Sequence, residues 1–353
     1  MRCKTWWLLL VTLCVLAGCG RAPLHKQQSY VFGTLVEITV FGEPEDKARQ
    51  ATDAVLADFD QLHRRLHAWE AGPLDSVNAA IAKGEQRIAL PADLAPLLID
   101  AQRLAEQSEG LFNPAIGNLI RLWGFHSETF EPRMPAPETI DRLVQASPSM
   151  ADLEFPSRPD SGGADSALVS RNPAVRIDLG GYAKGYALDR AAAEFRRRGI
   201  HNALINIGGN VMALGSKEGK AWKVGIQHPR QSGAIATLEL RDGEAIGTSG
   251  DYQRFFELDG KRYCHLIDPR TGWPAQGVQA VTVITRGAQA GVRSDVASKP
   301  LFIAGPTDWQ RLAARMGITE AVLIDARGGA QPTPAMASRL QWVENDDKQG
   351  AKP

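Results

Sequence analysis

The sequence has few cysteines and few aromatic residues, and it has no net charge. Of its 353 residues, 4 are Cys and 7% are aromatic, while 40 Lys and Arg residues balance 40 Asp and Glu residues. Without a basic excess the chain lacks the electrostatic attraction by which proteins hold a nucleic-acid backbone, so we expect no nucleic-acid partner. The hydrophobic share of 44% excludes a mostly disordered chain, and the length is sufficient for a large buried core.

The beginning of the chain has the pattern of a secretory signal. The segment Met1–Gly20 starts with Arg2 and Lys4 and continues into an apolar run, Trp6–Leu16. That run is too short to span a bilayer as a stable helix. We therefore predict a signal peptide over residues 1–18.

The end of this signal, Leu16-Ala17-Gly18-Cys19, resembles the bacterial lipobox, in which the cysteine is lipidated and becomes the mature N-terminus. An ordinary cleaved signal followed by a chance cysteine is the alternative, but the order of the four residues favours the lipobox. We expect a bacterial membrane lipoprotein that faces the periplasm and is anchored to the membrane through Cys19. Because Cys264 is then the one unmodified cysteine of the mature chain, no internal disulfide can form.

Beyond a short polar tether over residues 19–29, the pattern over residues 30–345 predicts an α+β architecture, and the length allows one large domain or two ordinary ones. Alternating apolar residues predict a strand over Tyr30–Phe41. Helical spacing of apolar residues predicts three helices in the first half of the domain: Asp46–His67, Asp93–Glu109 and Glu138–Gln145.

The second half alternates strands and glycine turns around a helix. After Arg176 the segments RIDLGG, YAKGYALDRAAAEFRRRG and ALINIGGN predict strand, helix and strand. An Asp-Gly dipeptide between Phe255–Leu258 and Lys261–Cys264 predicts a two-residue hairpin turn. The Pro-, Ser- and Gly-rich stretch Pro156–Ser166 lies between strand-like runs, which predicts a hairpin loop. These features favour mixed, largely antiparallel sheets with flanking helices over a regular βαβ series.

Glycines stand at four predicted strand ends: Gly33, Gly180-Gly181, Gly208-Gly209 and Gly247. A backbone that approaches a phosphate closely needs glycine, and strand-to-helix turns offer free N–H groups for it. None of the four matches GxGxxG or the P-loop, and each taken singly is typical of a plain turn. Four in one chain favour a phosphate-bearing ligand.

The segment RYCHLIDPRTG contains a histidine at the end of a predicted strand. His265 stands before the turn that Asp268-Pro269 begins, an arrangement that suits general acid–base catalysis or ligand orientation. The alternative is a core histidine hydrogen-bonded to that turn, and the segment by itself favours this alternative.

Six segments in order, GTLVEI, GLFNPAIGNLIRLWGF, IDLGGYAKGYALD, LINIGGN, GTSGDYQRFF and CHLIDPRTG, resemble those of the ApbE family of FAD:protein FMN transferases. The resemblance runs from about Phe32 to about Gly305. It implies a single ApbE-like domain and a magnesium-dependent phosphotransferase that cleaves the pyrophosphate of FAD. The FMN half passes to a Thr or Ser hydroxyl of an acceptor redox protein, and AMP leaves. FAD is then the substrate, and Mg²⁺ the cofactor, held by a few protein oxygens together with water and phosphates.

The resemblance also assigns roles to individual residues. It gives His265 and Asp178 catalytic roles, and it expects Gly181 and Asp295 to touch the metal. The residues expected to contact the flavin nucleotide are Phe32, Trp69, Leu111, Phe112, Asn113, Asp178, Thr248, Ser249 and His265.

The chain departs from the family pattern at the metal motif. Four residues after Asp295, where the family has a Thr or Asp oxygen ligand, this chain has Lys299, which carries a positive charge and no acceptor atom. Pro300 disfavours the helical conformation at Lys299. Asn113 and Ala115 stand where the family has Asp and Thr. Two interpretations remain open: the metal is held by the other ligands, or the Lys299 ammonium lies against Asp295 in place of Mg²⁺.

The departures leave three functions to consider. The leading hypothesis is a membrane-anchored flavin transferase. The second is an FAD-binding lipoprotein without transfer activity, which Asn113, Ala115 and Lys299 motivate. The third is an FAD pyrophosphatase, in which water replaces the acceptor hydroxyl and the products are FMN and AMP.

Overall fold

The computed structural model describes residues 22–343 except 128, 130 and 157–166. The predicted signal peptide, Cys19 and the final residues of the predicted domain lie outside this range. The helices are α1 (Glu45–Leu66), α2 (Pro73–Ala82), α3 (Leu94–Gln107), α4 (Gly117–Leu122), α5 (Pro137–Gln145), α6 (Ala183–Arg197), α7 (Ala290–Arg315) and α8 (Pro334–Ala337), with a 3₁₀ turn at Met150–Asp152.

The strands lie among these helices. They are β1 (Leu24–Val31), β2 (Thr34–Phe41), β3 (Ile88–Ala89), β4 (Leu153–Glu154), β5 (Ala167–Ser170), β6 (Ala203–Ile207), β7 (Asn210–Leu214), β8 (Trp222–Gln227), β9 (Ala234–Leu240), β10 (Glu244–Gly250), β11 (Phe255–Leu258), β12 (Lys261–Cys264), β13 (Val278–Arg286), β14 (Glu320–Asp325), β15 (Ala330–Pro332) and β16 (Gln341–Trp342). Eight of them, β6 to β13, follow one another along the described chain. The predicted α+β class is confirmed.

An eight-stranded sheet forms the frame, in the order β1-β2-β6-β7-β10-β13-β14-β15. Every neighbouring pair in it is antiparallel. In β2 the apolar side chains of Val36, Ile38 and Val40 are buried on one face, as the period of two requires. Helices α1 and α6 pack with that strand in one core cluster. The expectation of largely antiparallel sheets is therefore confirmed.

The N-terminal part of the domain differs from the prediction. The predicted strand Tyr30–Phe41 is two strands, because Phe32 and Gly33, both with positive φ, form a two-residue turn between β1 and β2. Residues 24–29 of the predicted tether belong to β1. This strand has no apolar alternation to reveal it, because it lies at the edge of the sheet and is held there by its pairing with β2.

The predicted strand RIDLGG is wrong: beyond an isolated bridge of Arg176 with Ile116, this segment is irregular backbone, because two of its N–H groups bond to the turn at Pro114 and Ala115 and not to a sheet. The other local predictions agree with the structure to within a few residues. The three predicted helices correspond to α1, α3 and α5. The Asp-Gly hairpin joins β11 and β12, and Asp259 and Gly260 both have positive φ. Strands β4 and β5 pair on either side of the predicted loop, most of which is outside the described range. Within the described part of the chain no helix is long and apolar enough to cross a membrane.

Helix α7 deviates from a simple sequence rule. Pro300 does not end α7, which continues past it and is interrupted by non-helical backbone at Gly305. Lys299 therefore remains helical and lies one turn from Asp295.

Cys264 is buried, and burial raises the pKa of its thiol to about 12, so the thiol is protonated at neutral pH.

Glycines allow α7 to lie very close to its neighbours. A Cβ added at Gly185 of α6 would lie 2.4 Å from the carbonyl oxygen of Gly291, and one added at Gly291 would lie 2.3 Å from the carbonyl oxygen of Gly185. On the other side of α7, a Cβ at Gly247 of β10 would lie 2.4 Å from the carbonyl oxygen of Ser294. The first turns of α7 are thus held between α6 and β10 by backbone contacts that leave no room for a methyl group.

We expect Gly185→Ala to lower the free energy of unfolding by about 1–3 kcal/mol, because the added methyl group forces α6 and α7 apart. Urea denaturation of the described domain would measure this change. The matched control is Ala193→Ser on the exposed face of the same helix, where we expect a change within about 0.5 kcal/mol. A Gly185→Ala protein as stable as the parent would contradict the packing described above.

Candidate active site

A cavity of about 580 Å³ lies where the turns at the end of the large sheet meet the start of α6 and the middle of α7. All six segments that carry the family resemblance contribute to its wall, together with the middle of α7. The predicted site residues that line it are Phe32, Leu111, Phe112, Asn113, Asp178, Gly181, Thr248, His265 and Lys299. Three predicted residues, Trp69, Ser249 and Asp295, stand behind the wall.

Phe32 enters the cavity from the turn between β1 and β2. Its ring packs against Phe59 at 5.9 Å and against the edge of His63 at 5.6 Å. Its φ of 57° places a large side chain in the left-handed region, which costs on the order of 1–3 kcal/mol. Such strain persists at positions where the surrounding structure fixes the conformation, and here the result is an aromatic ring in the cavity wall.

Asp178 is held from two sides at the turn before α6. Its Oδ1 accepts a hydrogen bond from the backbone N–H of Gly180 at 2.7 Å, and its Oδ2 accepts one from the indole N–H of Trp69 at 3.0 Å. Trp69 in turn lies under the Arg176 guanidinium, 4.4 Å from the ring centroid. Trp69 therefore orients Asp178, whereas the sequence analysis expected it to stack on the ligand.

The segment at Leu111–Asn113 forms an apolar part of the wall. Leu111 and Phe112 are nearly buried and line the cavity. Asn113 also lines it, but its amide is engaged in the turn: Oδ1 accepts from Ala115 N–H at 3.1 Å, and Nδ2 donates to the Pro148 carbonyl at 2.9 Å. With Asn in place of the family's Asp, both the oxygen and the nitrogen of the side-chain amide hydrogen-bond to the backbone around the turn.

Neighbouring residues of β10 face opposite sides of the sheet. Thr248 lines the cavity, and its hydroxyl shares a hydrogen bond with Thr282 at 2.9 Å. Ser249 is buried on the other face, with its hydroxyl 2.7 Å from that of Ser298 in α7. Because side chains alternate along a strand, the side chains of the two residues do not both face the cavity, and the expected contact of Ser249 with the flavin nucleotide stays a prediction.

His265 lines the cavity directly after β12. Its Nδ1 lies 3.2 Å from the Arg254 carbonyl, and because a carbonyl can only accept, Nδ1 carries the proton. Nε2 of the neutral ring is then an acceptor. Burial, together with the positive charges of Arg254 and Lys184, lowers the pKa of His265 to about 3. His265 thus bonds to the Arg254 carbonyl, and not to the turn that begins at Asp268-Pro269.

Two cationic side chains in the wall were not singled out from the sequence. Lys184 belongs to the first turn of α6, and Arg254 lies between β10 and β11. Arg254 donates to the carbonyls of Phe125 and Ser127 at 2.9 and 2.7 Å. Both residues lie inside the motifs IDLGGYAKGYALD and GTSGDYQRFF, so a positive charge close after a glycine turn is the signal that would have identified them.

The glycine clusters divide into two kinds. Gly33, Gly180-Gly181 and Gly208-Gly209 line the cavity, whereas Gly247 is buried against α7. The N–H groups of Gly208 and Gly209 already donate to the Leu35 carbonyl and to Asn206 Oδ1, so they are not donors for a phosphate. In the cluster at the start of α6 the N–H of Gly180 also donates, to Asp178 Oδ1, so what this cluster offers an anion is its place beside a helix N-terminus.

Asp295 is 1% exposed and lies behind the cavity wall, at the N-terminus of α6. Its Oδ2 accepts from the backbone N–H of Gly185 at 2.9 Å, and its Oδ1 accepts from Lys299 Nζ at 2.5 Å. Burial opposes ionisation of this carboxyl, but Lys299 and Lys184 outweigh it, and the pKa of Asp295 lies below its usual value. The sequence left open whether the Lys299 ammonium lies against Asp295. In the structure it does.

The charges of the wall favour an anionic ligand. Lys184, Arg254 and Lys299 line the cavity together with a single carboxylate, that of Asp178. Aromatic and aliphatic side chains, among them Phe32, Leu111 and Phe112, also line it. In the described parts of the chain no group of three or more His, Cys, Asp and Glu side chains is arranged to hold a metal ion. The arrangement can bind a molecule with a phosphate part and a planar apolar part next to a neutral imidazole acceptor.

Sequence comparison gives a family and several relatives. The profile of the ApbE family matches residues 32–323. The chain is 41% identical to an FAD:protein FMN transferase from Rhodobacter capsulatus over 96% of its own length, and spans 63% of the length of that relative. It is 30% identical to an FAD:protein FMN transferase from Treponema pallidum, with 85% of this chain and 86% of the relative covered.

Structural comparison gives the same family. An ApbE protein from Thermotoga maritima superposes with a TM-score of 0.78 at 29% identity, covering 90% of this chain and 99% of its own. The apo form of the flavinyl transferase ApbE from Pseudomonas stutzeri superposes with a TM-score of 0.77 at 26% identity, covering 91% and 98%.

We expect the imidazole of His265 to remain neutral well below pH 6.5 in the folded protein, because burial and nearby positive charges oppose its protonation. An NMR titration of the His265 ring should give a midpoint near pH 3, against about 6.5 in the urea-unfolded chain. Since the unfolded state then binds more protons between these values, this residue's contribution to stability is complete above pH 6.5 and is lost as the pH falls. A folded-state midpoint near 6.5 would contradict the burial described here.

Proposed function

The chain belongs to the ApbE family, and we propose that it is an FAD:protein FMN transferase. The observation that carries the proposal is a single cavity with an aromatic wall, three cationic side chains and a neutral His265. Each of these features corresponds to a part of the reaction: the flavin ring, the diphosphate and the proton that must be removed.

The proposed reaction is a phosphoryl transfer. The oxygen of an acceptor Thr or Ser hydroxyl attacks the phosphorus of the FMN half of FAD and forms a new P–O bond. The bond between that phosphorus and the bridging oxygen breaks, and the oxygen leaves with its electron pair as part of AMP. Nε2 of His265 accepts the hydroxyl proton, which it can do because the ring is neutral at physiological pH.

The residues of the cavity wall would divide the substrate between them. Phe32, Leu111 and Phe112 offer apolar and aromatic surface for the isoalloxazine. Lys184 and Arg254 offer positive charge for the phosphates, next to the N-terminus of α6. Asp178, oriented by Trp69, is the acceptor for polar hydrogens of the ligand. Exclusion of water from this wall strengthens the electrostatic contacts.

The residues present do not fit a Mg²⁺ ion in the manner that the family resemblance implied. Mg²⁺ requires oxygen ligands in near-octahedral arrangement. The two carboxylate oxygens of Asp295 are engaged by Gly185 and Lys299, and the residue one turn later offers an ammonium in place of an oxygen. No step of the proposed reaction is therefore assigned to a metal.

The proposal includes the location of the enzyme and the nature of its acceptor. Lipidation of Cys19 would hold the domain at the membrane on the periplasmic side, where exported redox proteins with Thr or Ser flavinylation sites are its targets. The support for this part is the lipobox at the end of the signal sequence.

We expect His265→Gln to lower kcat/KM for FMN transfer by about 100-fold or more while leaving FAD affinity unchanged, because the proton acceptor is lost and the binding surfaces remain. The assay follows AMP release and a fluorescent acceptor band that survives denaturation. The matched control is His201→Gln, an exposed histidine outside the cavity, which should retain full activity.

The same assay separates the other two hypotheses. FAD consumption with release of FMN and AMP, with or without an acceptor, would identify a pyrophosphatase. Tight FAD binding without turnover under any condition would identify a binding protein. Either result would contradict the proposed transfer.

We expect Cys19→Ser to move the protein from the membrane fraction to the soluble periplasmic fraction, because the lipid-bearing sulfur is absent. Immunoblotting of fractionated cells would measure this shift, and mass spectrometry of the parent protein should show a lipid-modified N-terminus at Cys19. Cys264→Ala is the control and should stay in the membrane fraction. An unmodified N-terminus in the parent protein would exclude the lipoprotein.

A further inference from the structure

We propose that the Lys299 ammonium, held in place by Asp295, takes the position of a divalent ion and binds the FAD diphosphate directly, so that FAD binding by this protein needs no metal. This inference rests on the proposed function, because it takes FAD as the ligand. Lys299 stands where the family has a Thr or Asp, and the inference gives this lysine a role in binding phosphate.

The first argument is the geometry of the ion pair. Lys299 Nζ donates to the Asp295 carboxylate at 2.5 Å and to the Asp295 backbone carbonyl at 2.7 Å. Two of the three ammonium hydrogens are thereby used, and the side chain is 15% exposed at the cavity wall. The remaining hydrogen is available to a ligand. The pair thus fixes the ammonium group in the wall without using all of its hydrogen-bond donors.

The second argument is the space that the lysine stem occupies. A Cβ added at Gly181 would lie 3.0 Å from both Cδ and Cε of Lys299. Gly181 is the residue that the family resemblance expected to touch the metal. The methylene groups of Lys299 are therefore packed against the backbone of one expected metal ligand, while its ammonium lies on the side chain of the other.

The third argument is the charge around the pair. Burial lowers the pKa of Lys299, the Asp295 carboxylate opposes this change, and the positive charge of Lys184 in the first turn of α6 adds to it. The pair therefore already has a second cation beside it. A divalent ion placed there would be repelled by both ammonium groups. An anionic diphosphate would be attracted by both ammonium groups, so the charge of this wall is complementary to that of a diphosphate.

A purely structural ion pair is the competing explanation, and it makes a different prediction. If the pair serves only to stabilise the packing of α7 on α6, its removal should change stability without changing ligand preference. If it binds the diphosphate, its removal should weaken FAD binding and leave the binding of riboflavin, which has no phosphate, unchanged.

The first experiment uses the unaltered protein and isothermal titration calorimetry with FAD. We expect equal affinity in EDTA and in millimolar MgCl₂. FAD binding that requires MgCl₂ would overturn this inference and leave the proposed function intact. A complete absence of FAD binding in both buffers would overturn the inference and the proposed function together.

The second experiment uses Lys299→Met combined with Asp295→Asn, so that no buried carboxylate is left unpaired. We expect FAD affinity to fall by about 10- to 100-fold, the usual effect of losing a charge-assisted hydrogen bond, with riboflavin affinity unchanged. The matched control is Lys47→Met, which removes another lysine from an i, i+4 ion pair, with Glu43, at the surface away from the cavity. Unchanged FAD affinity in a folded double variant would overturn the inference.

A third variant tests the exchange in the reverse direction. Lys299→Thr restores the oxygen that the family resemblance expects and frees Asp295 Oδ1. We expect this variant to bind FAD more weakly than the parent in EDTA and to regain affinity with MgCl₂. A Lys299→Thr protein that binds FAD as the parent does in EDTA would overturn the inference, since the ammonium would then contribute nothing.

Discussion

The close crossing of α6 and α7 is the contact on which the site depends. Gly185 and Gly291 bring the two backbones together, and Gly247 lets β10 approach α7 from the other side. As a result the carboxylate of Asp295 reaches the N-terminus of α6, where the backbone N–H of Gly185 and the helix dipole favour its charged form. Lys299, one turn later in α7, pairs with the same carboxylate. A methyl group at the crossing would therefore displace charges as well as weaken packing.

The cavity combines strain, burial and charge in one small volume. Phe32 has a positive φ in the turn between β1 and β2, and its aromatic ring belongs to the cavity wall. His265 is kept neutral by burial first and then by the cations around it, so the charges that attract phosphates also help to maintain a proton acceptor. A ligand with negative phosphates would reduce that effect on the ring and make it more basic once bound. Binding and proton transfer are in this way coupled through the electrostatics of a single wall.

Much of the fold could be predicted from local patterns. Asp259-Gly260 identified a hairpin, and helical spacing identified α1, α3 and α5, because both signals depend on a few neighbouring residues. Strand β1 could not be found in this way, since its polar residues are held by pairing with β2. Most residues that the family resemblance singled out lie together in the cavity wall. Ser249 and Trp69 do not line it, since their positions depend on which way a strand faces and on a contact with Asp178 across the chain.

The central claim is that this cavity holds a flavin dinucleotide by its own cations. A crystal structure of the protein with FAD, grown in EDTA, tests it most directly. The account predicts the isoalloxazine against the aromatic wall and a diphosphate oxygen within hydrogen-bonding distance of Lys299 Nζ, with Asp295 still paired to that lysine. A metal ion between Asp295 and the phosphates, with the lysine side chain turned away, would contradict it.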